Sequence, residues 1–241
     1  MMSPSHLRRF FALTAVIAAT ACGSGMLDAG RLIAPSASGG ATVGSPANYL
    51  GAFGDSLHHG TVSITVSPSL TVTGTLTIVG APSQPLTGTV DTAAAEMHVT
   101  GGGYTISGFT NNGTLSGFYT GPGGNGFVVA SSDSLTQQTH KQYCGVYTST
   151  NSNGRIALQV LSSGDVGGFV VQTSGSALSS FLTGTVINNQ TFTGVTNNGI
   201  ALSGTVSSDL STIVGTYVPP VGSAAVSSSA TGQFSATTGG C

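Results

Sequence analysis

His58 and His59 form an adjacent histidine pair whose residue type suggests metal chemistry. Neighbouring residues on a strand point to opposite faces, so both rings would reach one ion only at a hairpin. Glu96 and His98 would be the partners from one face of the sheet. Structural zinc sites usually use four ligands at recognisable spacings, and this set has no such spacing. We therefore expect solvated hairpin histidines, and we predict no metal site and no cofactor.

The four residues at 54–57, Gly-Asp-Ser-Leu, resemble the nucleophile motif of GDSL hydrolases. The resemblance implies that Ser56 attacks the substrate after a histidine takes its proton, with an aspartate three residues before that histidine holding it in place. Neither His98 nor His140 follows an aspartate at that spacing. The family also needs a parallel sheet flanked by helices, which this sequence does not offer. The chain is predicted not to be an enzyme, and a serine hydrolase using Ser56 is the alternative.

The composition predicts that strands, not helices, position these residues. Charged residues make up 5% of the chain, against roughly 25% in ordinary soluble domains, and good helix formers are scarce. Thr, Val, Ile, Phe and Tyr suit a pleated, half-buried surface, and apolar residues recur with period two after Tyr49. The sequence has no basic patch, so nucleic acid is not expected among the partners.

A long internal repeat indicates that one structural unit occurs twice. Residues 182–217 echo residues 86–121, and each copy begins with the same pattern of Leu, Gly and Val. Turn-forming residues divide each unit into short segments, and glycine recurs on the apolar face, where it suits a strongly curved sheet. These features predict an all-β protein of two tandem antiparallel up-and-down β-barrel-like units, each with about eight short strands. A β-sandwich is the alternative.

Shifts in composition mark the expected domains. A basic start followed by an apolar core is typical of a secretory leader, and a segment rich in Gly, Ser, Ala and Pro is typical of a flexible tether. A polar stretch between the repeat units is typical of a linker. The expected order is a lipoprotein signal peptide at 1–21, a tether at 22–48, unit one at 49–132, a linker at 133–142 and unit two at 143–241.

Cys22 directly follows the small residues that end the leader, and this junction resembles a bacterial lipoprotein signal. The resemblance implies that Cys22 becomes the mature N-terminus and carries acyl chains such as palmitate, which attach the protein to a membrane. We therefore expect a lipid-anchored protein of the bacterial cell envelope, on the outer membrane, periplasmic or surface face. Secretion with an unmodified Cys22 is the alternative.

The two other cysteines, Cys144 and Cys241, form an even pair that suits an oxidising compartment. They fall in the first predicted strand of unit two and just after its last one. First and last strands are neighbours only when a sheet closes or nearly closes. A disulfide between these cysteines is therefore predicted, and it would support a barrel.

The segment 103–132 resembles the barrel domains of transferrin-binding protein B-like surface lipoproteins. In those domains, glycine-rich strands precede a Gly-x-Phe-x-Gly-Pro segment and then a Gly-x-Phe strand; here the stretches 117–122 and 126–127 match loosely. The resemblance implies an eight-stranded barrel on a lipid-anchored surface protein that binds another protein. It carries over no particular ligand.

The turns hold the most unusual sequence, and loops on a rigid scaffold are where binding surfaces usually lie. We therefore predict a non-catalytic binding or structural role, with an unknown protein or small-molecule ligand as the partner. A ligand inside a barrel is an alternative, although an eight-stranded barrel is just wide enough to be filled by its own side chains. The predicted binding residues are Gly121, Pro122, Asn125, Pro219 and Pro220.

Overall fold

The structure, a computed structural model, describes residues 46–150, 152–175, 179–218 and 231–241. Its elements in chain order are β1 Ala47–Gly54, β2 His59–Val66, β3 Thr71–Ile78, β4 Gln84–Asp91, β5 Glu96–Gly101, β6 Tyr104–Asn111, β7 Thr114–Gly121, β8 Gly124–Ser131, α1 Asp133–Thr136, β9 His140–Thr148, β10 Ser152–Leu161, β11 Asp165–Gly175, β12 Ser180–Ile187, β13 Thr191–Thr196, β14 Ala201–Val206, β15 Thr212–Val218 and β16 Gly232–Thr238. Among these residues no helix is long and apolar enough to cross a membrane. The leader and Cys22 lie outside the described residues.

Consecutive strands pair antiparallel, and two sets of strands each close into a barrel. In barrel one, β1 also pairs with β8, for example at Leu50 and Ser131. In barrel two, β9 also pairs with β16, for example at Thr148 and Gln233. Closure gives every strand two neighbours and leaves no edge exposed. The prediction of two up-and-down barrels is confirmed, and the sandwich alternative is wrong.

Side chains fill the centre of each barrel, and glycines make room for the largest of them. The rings of Tyr119 and Tyr217 are almost fully buried. A β-carbon at Gly126 would be 2.3 Å from the Tyr119 ring, and one at Gly232 would be 2.0 Å from the Tyr217 ring. Glycine on the inner face therefore lets an aromatic ring lie across the neighbouring strand, as the sequence pattern predicts.

Part of the stretch 133–142, which the sequence predicts to be a linker, has regular structure. Its first residues form α1, where Leu135 packs against the core of barrel one. Its last residues begin β9, because Lys141 pairs with Val160 and continues the ladder with β10. The connection between the barrels is therefore short.

The predicted disulfide is confirmed: Cys144 in β9 is bonded to Cys241, which follows β16, with their Cα atoms 5.1 Å apart. The bridge joins the first and last strands of barrel two. Its sequence separation of 97 residues corresponds to a stabilisation of about 4–5 kcal/mol in the chain-entropy model. The two ends of barrel two are thus tied both by strand pairing and covalently.

The two barrels pack against each other through β1 and β8 of barrel one and β10, β11 and β12 of barrel two. The side chains in this contact point out of their own barrels, so these strands bury both faces. Phe169 stacks on Phe127 with ring centroids 6.0 Å apart, and Phe181 meets Phe127 edge-on at 4.7 Å. The contact is a third apolar cluster, separate from the two barrel cores.

Two polar side chains of β10 fix the direction of barrel two on barrel one. Gln159 donates from Nε2 to the Leu50 carbonyl and accepts from Ser131 Oγ, both at 2.8 Å. Arg155 donates from Nη1 to the Asp55 carbonyl at 3.2 Å. Hence β10 runs antiparallel to β1, and β9 runs parallel to β1. The odd-numbered strands of both barrels finish at one common end, which we call the loop end. β1 and β9 begin at the other end, which we call the opposite end.

Candidate functional site

The predicted binding turn between β7 and β8 lies at the loop end of barrel one. Gly121 ends β7, Pro122 is exposed at the tip of the hairpin, and Asn125 is exposed at the start of β8. Pro219 and Pro220 lie outside the described residues, although β15, which precedes them, finishes at the same end of barrel two. The structure therefore places one of the two predicted turns at this end, and the role of both remains a prediction.

This turn touches the loop that connects β1 to β2, residues 55–58. A β-carbon at Gly123 would be 2.3 Å from His58 Nδ1 and 2.8 Å from Asp55 Oδ2. These distances are far shorter than van der Waals contact, so a larger residue fits only if the neighbouring loop moves. We call the 55–58 loop and the 121–125 turn together the paired loops.

Asp55 builds the first of the paired loops. Its side chain is fully buried, and its Oδ1 accepts hydrogen bonds from the backbone N–H groups of Leu57 and His58, both at 2.5 Å. Its own N–H donates to the His58 carbonyl at 2.8 Å. An aspartate that bonds to the backbone two and three residues on is a turn-forming residue, so part of its role is structural.

Three buried polar atoms lie together behind this loop and have no hydrogen-bond partner among the described residues: Asp55 Oδ2, His58 Nδ1 and Tyr119 Oη. Asp55 Oδ2 and His58 Nδ1 are 3.7 Å apart. Burial raises the pKa of Tyr119 far above its ordinary value, and the Asp55 carboxylate beside it raises that pKa further. The Tyr119 hydroxyl therefore stays protonated and faces the carboxylate, although outside good hydrogen-bond geometry.

The 54–57 motif and the residue after it contain the aspartate-to-histidine spacing that the hydrolase alternative needs. Asp55 itself stands three residues before His58, so the Asp-x-x-His pattern lies within the motif, and the structure brings the two side chains together. Ser56, between them in sequence, is exposed. However, both barrels are antiparallel, and the one helix in the described part of the chain is the four-residue α1, so the parallel sheet flanked by helices of that family is missing here.

His59 faces a different environment from His58. It lines a small cavity of about 90 Å³ between the barrels, together with Phe53, Arg155 and Phe169. Burial lowers the pKa of His59, and the nearby Arg155 guanidinium lowers it further. These two effects favour the neutral form of His59, which avoids like-charge repulsion with Arg155.

The histidines do not assemble into the metal set considered from the sequence. Glu96 and His98 pair with each other at 3.2 Å, and Glu96 begins β5 at the opposite end of barrel one. They are therefore apart from His58 and His59. Within the described residues, no group of three or more His, Cys, Asp or Glu side chains is arranged to hold a metal ion.

Comparison with known proteins gives one distant structural likeness. No protein-family model matches the chain, and no curated protein matches it. A solved structure of transferrin-binding protein B from Haemophilus parasuis Hp5, a vaccine antigen, aligns with 80% of this chain and 76% of its own, at 9% identity and a TM-score of 0.32. The two-barrel fold of this chain is established by its own strand order, independently of that likeness.

Proposed function

We propose that this protein is a lipid-anchored binding protein of the bacterial cell envelope, which presents the loop end of both barrels to a protein partner. One observation carries the proposal: the hydrogen bonds of Gln159 and Arg155 point the hairpins of both barrels in the same direction. β1 begins at the opposite end, so a tether that precedes Ala47 would join the molecule there and leave the loop end free for a partner.

The disulfide supports the proposed compartment. Bridges persist in envelope and secreted proteins and are rare in the cytosol, and Cys144 is bonded to Cys241.

In this proposal the acyl chains on Cys22 supply the anchor. We expect Cys22→Ser to move the protein from the detergent phase to the aqueous phase in a detergent partitioning experiment. Unchanged partitioning would contradict the anchor and leave the binding surface to be tested separately.

The chemistry of the paired loops favours recognition without charge. The Asp55 carboxylate is buried, whereas Leu57 is 66% exposed and Ser56 and Pro122 are also at the surface. Contacts with a partner then depend on hydroxyls, amides and apolar groups. Because charge-steered association weakens with ionic strength, we expect this binding to vary little with salt.

A capture experiment with the purified mature protein tests which end binds. In one variant Pro122 is replaced by Asn and Asn125 by Ala, which keeps the two-residue turn between the paired Gly121 and Gly124. In the matched control Ser208 is replaced by Asn and Asp209 by Ala in the β14–β15 hairpin, which lies at the opposite end. We expect the first variant to lose a partner that the wild-type protein and the control both retain, at low and high salt. Equal capture by all three would remove the paired loops from the binding surface.

The second candidate function is ester hydrolysis. It is favoured only by the Asp55 and His58 side chains, 3.7 Å apart beside Ser56. Incubation with p-nitrophenyl butyrate, a simple ester probe, tests it directly. Turnover that is lost in Ser56→Ala would establish the hydrolase and overturn the binding-protein proposal, whereas no turnover above the buffer rate leaves binding as the function.

A further inference from the structure

The opposite end of barrel two has a cavity of about 220 Å³ at its mouth. Its floor is apolar and is formed by Val160, Val186, Val206 and Leu210. Val186 and Val206 are each 9% exposed, so they form the upper edge of the barrel core. Covering a concave apolar surface of this kind with an apolar group is favourable, because apolar area is removed from water.

One cation lines this cavity. Lys141 is the single lysine of the chain, and it belongs to the face of β9 that also carries the buried Tyr143 and Tyr147. No carboxylate of the described residues forms an ion pair with its ammonium group. The histidine at this rim already has a partner, because His140 Nδ1 contacts the carboxylate of Asp133. Lys141 is therefore available to an anion.

The equivalent end of barrel one is built differently, although the sequence is a repeat. The ungapped match of Tyr49 with Tyr143 places Ala47 where barrel two has Lys141. In addition, Leu135 of α1 packs against the core of barrel one at this end. An open apolar mouth with a cation on its rim is thus particular to barrel two.

We propose that the mouth of barrel two binds a small amphiphilic organic anion of the fatty carboxylate class. The alkyl group covers the valines and Leu210, and the carboxylate accepts hydrogen bonds from the Lys141 ammonium and the Asn189 amide at the rim. Tyr143 shapes the wall but donates its hydroxyl to the Leu210 carbonyl at 2.8 Å. This site lies at the end away from the paired loops, so it does not depend on the proposed function.

A nearby carboxylate, that of Asp209, provides a test in which anion affinity should change in the opposite direction. Asp209 lies outside the cavity lining, in the β14–β15 hairpin, and its carboxylate accepts hydrogen bonds from Ser207 and Ser211. Those hydroxyls lower its pKa to about 2, so it is charged at neutral pH. Its field opposes a bound carboxylate, which means that removal of this charge should strengthen anion binding while removal of Lys141 weakens it.

Calorimetry and NMR with the mature protein test the site, using octanoate, 1-octanol and octylamine as probes of equal chain length. We expect octanoate to bind most tightly and octylamine least tightly. Amide signals of Lys141, Asn189 and Val206 should shift on titration with octanoate, and those of β1 and β2 should not. Tighter binding of octylamine, or shifts that map to another region, would overturn the proposal.

Three variants complete the test, each checked for native circular dichroism. Lys141→Ala should weaken octanoate binding about five- to tenfold and leave 1-octanol unchanged, because a charged hydrogen bond is lost at a partly exposed rim. Asp209→Asn should strengthen octanoate binding about twofold. Val186→Phe fills the mouth and should weaken all three ligands. Octanoate affinity that is equal in wild type and Lys141→Ala, or absent in wild type up to the solubility limit, would overturn the proposal.

Discussion

The 55–58 loop and the 121–125 turn pack closely because Gly123 has no side chain. Because a β-carbon there would meet His58 Nδ1 at 2.3 Å, we expect Gly123→Ala to lower the free energy of unfolding by about 1–3 kcal/mol. Truncation of the ring in a His58→Ala background should recover part of that loss, since the clash with His58 is then absent and only the 2.8 Å approach to Asp55 Oδ2 remains. Urea unfolding of the two single variants and the double variant measures this coupling. Additive effects would mean that the loops do not press on each other.

Tyr49 links stability to alkaline pH. Burial raises its pKa from 10.0 to about 12, so in that window the unfolded chain has lost a proton that the folded chain keeps. Stability from this group is complete below pH 10 and falls as pH rises, by about 2–3 kcal/mol at pH 12. Unfolding measured from pH 8 to 12 checks the slope. Tyr49→Phe should make the dependence of stability on pH shallower. Tyr119, Tyr143 and Tyr147, whose pKa values burial also raises, account for the remainder.

At the scale of elements, the disulfide joins β9 covalently to the segment after β16. Loss of the bridge in the Cys144→Ser/Cys241→Ser variant should lower the free energy of unfolding by about 2–5 kcal/mol, because the unfolded chain gains freedom. Strand pairing should still close barrel two. Urea curves with and without reductant measure this, and the reductant should shift only the wild-type protein. An equal shift in the double variant would point to another cause.

Most strands were predictable because alternation survives where one face meets water. Thr71–Ile78 reads as alternating polar and apolar residues, and it forms β3 with that burial pattern. The interface strands follow another rule: the apolar run 166–171 in β11 is buried on both faces. Such a run indicates a strand that is covered on both faces, so the sequence contained a signal that β11 packs against the other barrel. The start of β9 was not predictable, because Lys141 and its neighbours are as polar as a linker.

The candidate sites required the three-dimensional structure. Asp55 and His58 are close in sequence, and their spacing could have been noticed there. Tyr119 and Gly123 reach the same place only because β7 and β8 lie beside β1 in a closed sheet. The mouth of barrel two likewise combines residues from four segments of the chain. No sequence pattern specifies such groups before the register of the barrel is known.

At the scale of the whole molecule, Gln159 holds two separately cored barrels in one orientation. Gln159→Ala leaves the buried Ser131 hydroxyl and the Leu50 carbonyl without their partner. We expect a loss of about 2–4 kcal/mol. Each barrel has its own core, so this loss should fall mainly on the contact between them.

Scanning calorimetry tests this uncoupling. The wild-type protein should unfold in one transition, because the interface cluster couples the barrels. In Gln159→Ala the heat absorption should broaden or split, as the barrel without the disulfide unfolds before the other. Gln233→Ala is the matched control, since that side chain is exposed on β16, and it should keep the wild-type profile. A single transition that merely moves to lower temperature would show that the apolar contact of Phe127, Phe169 and Phe181 couples the barrels without Gln159.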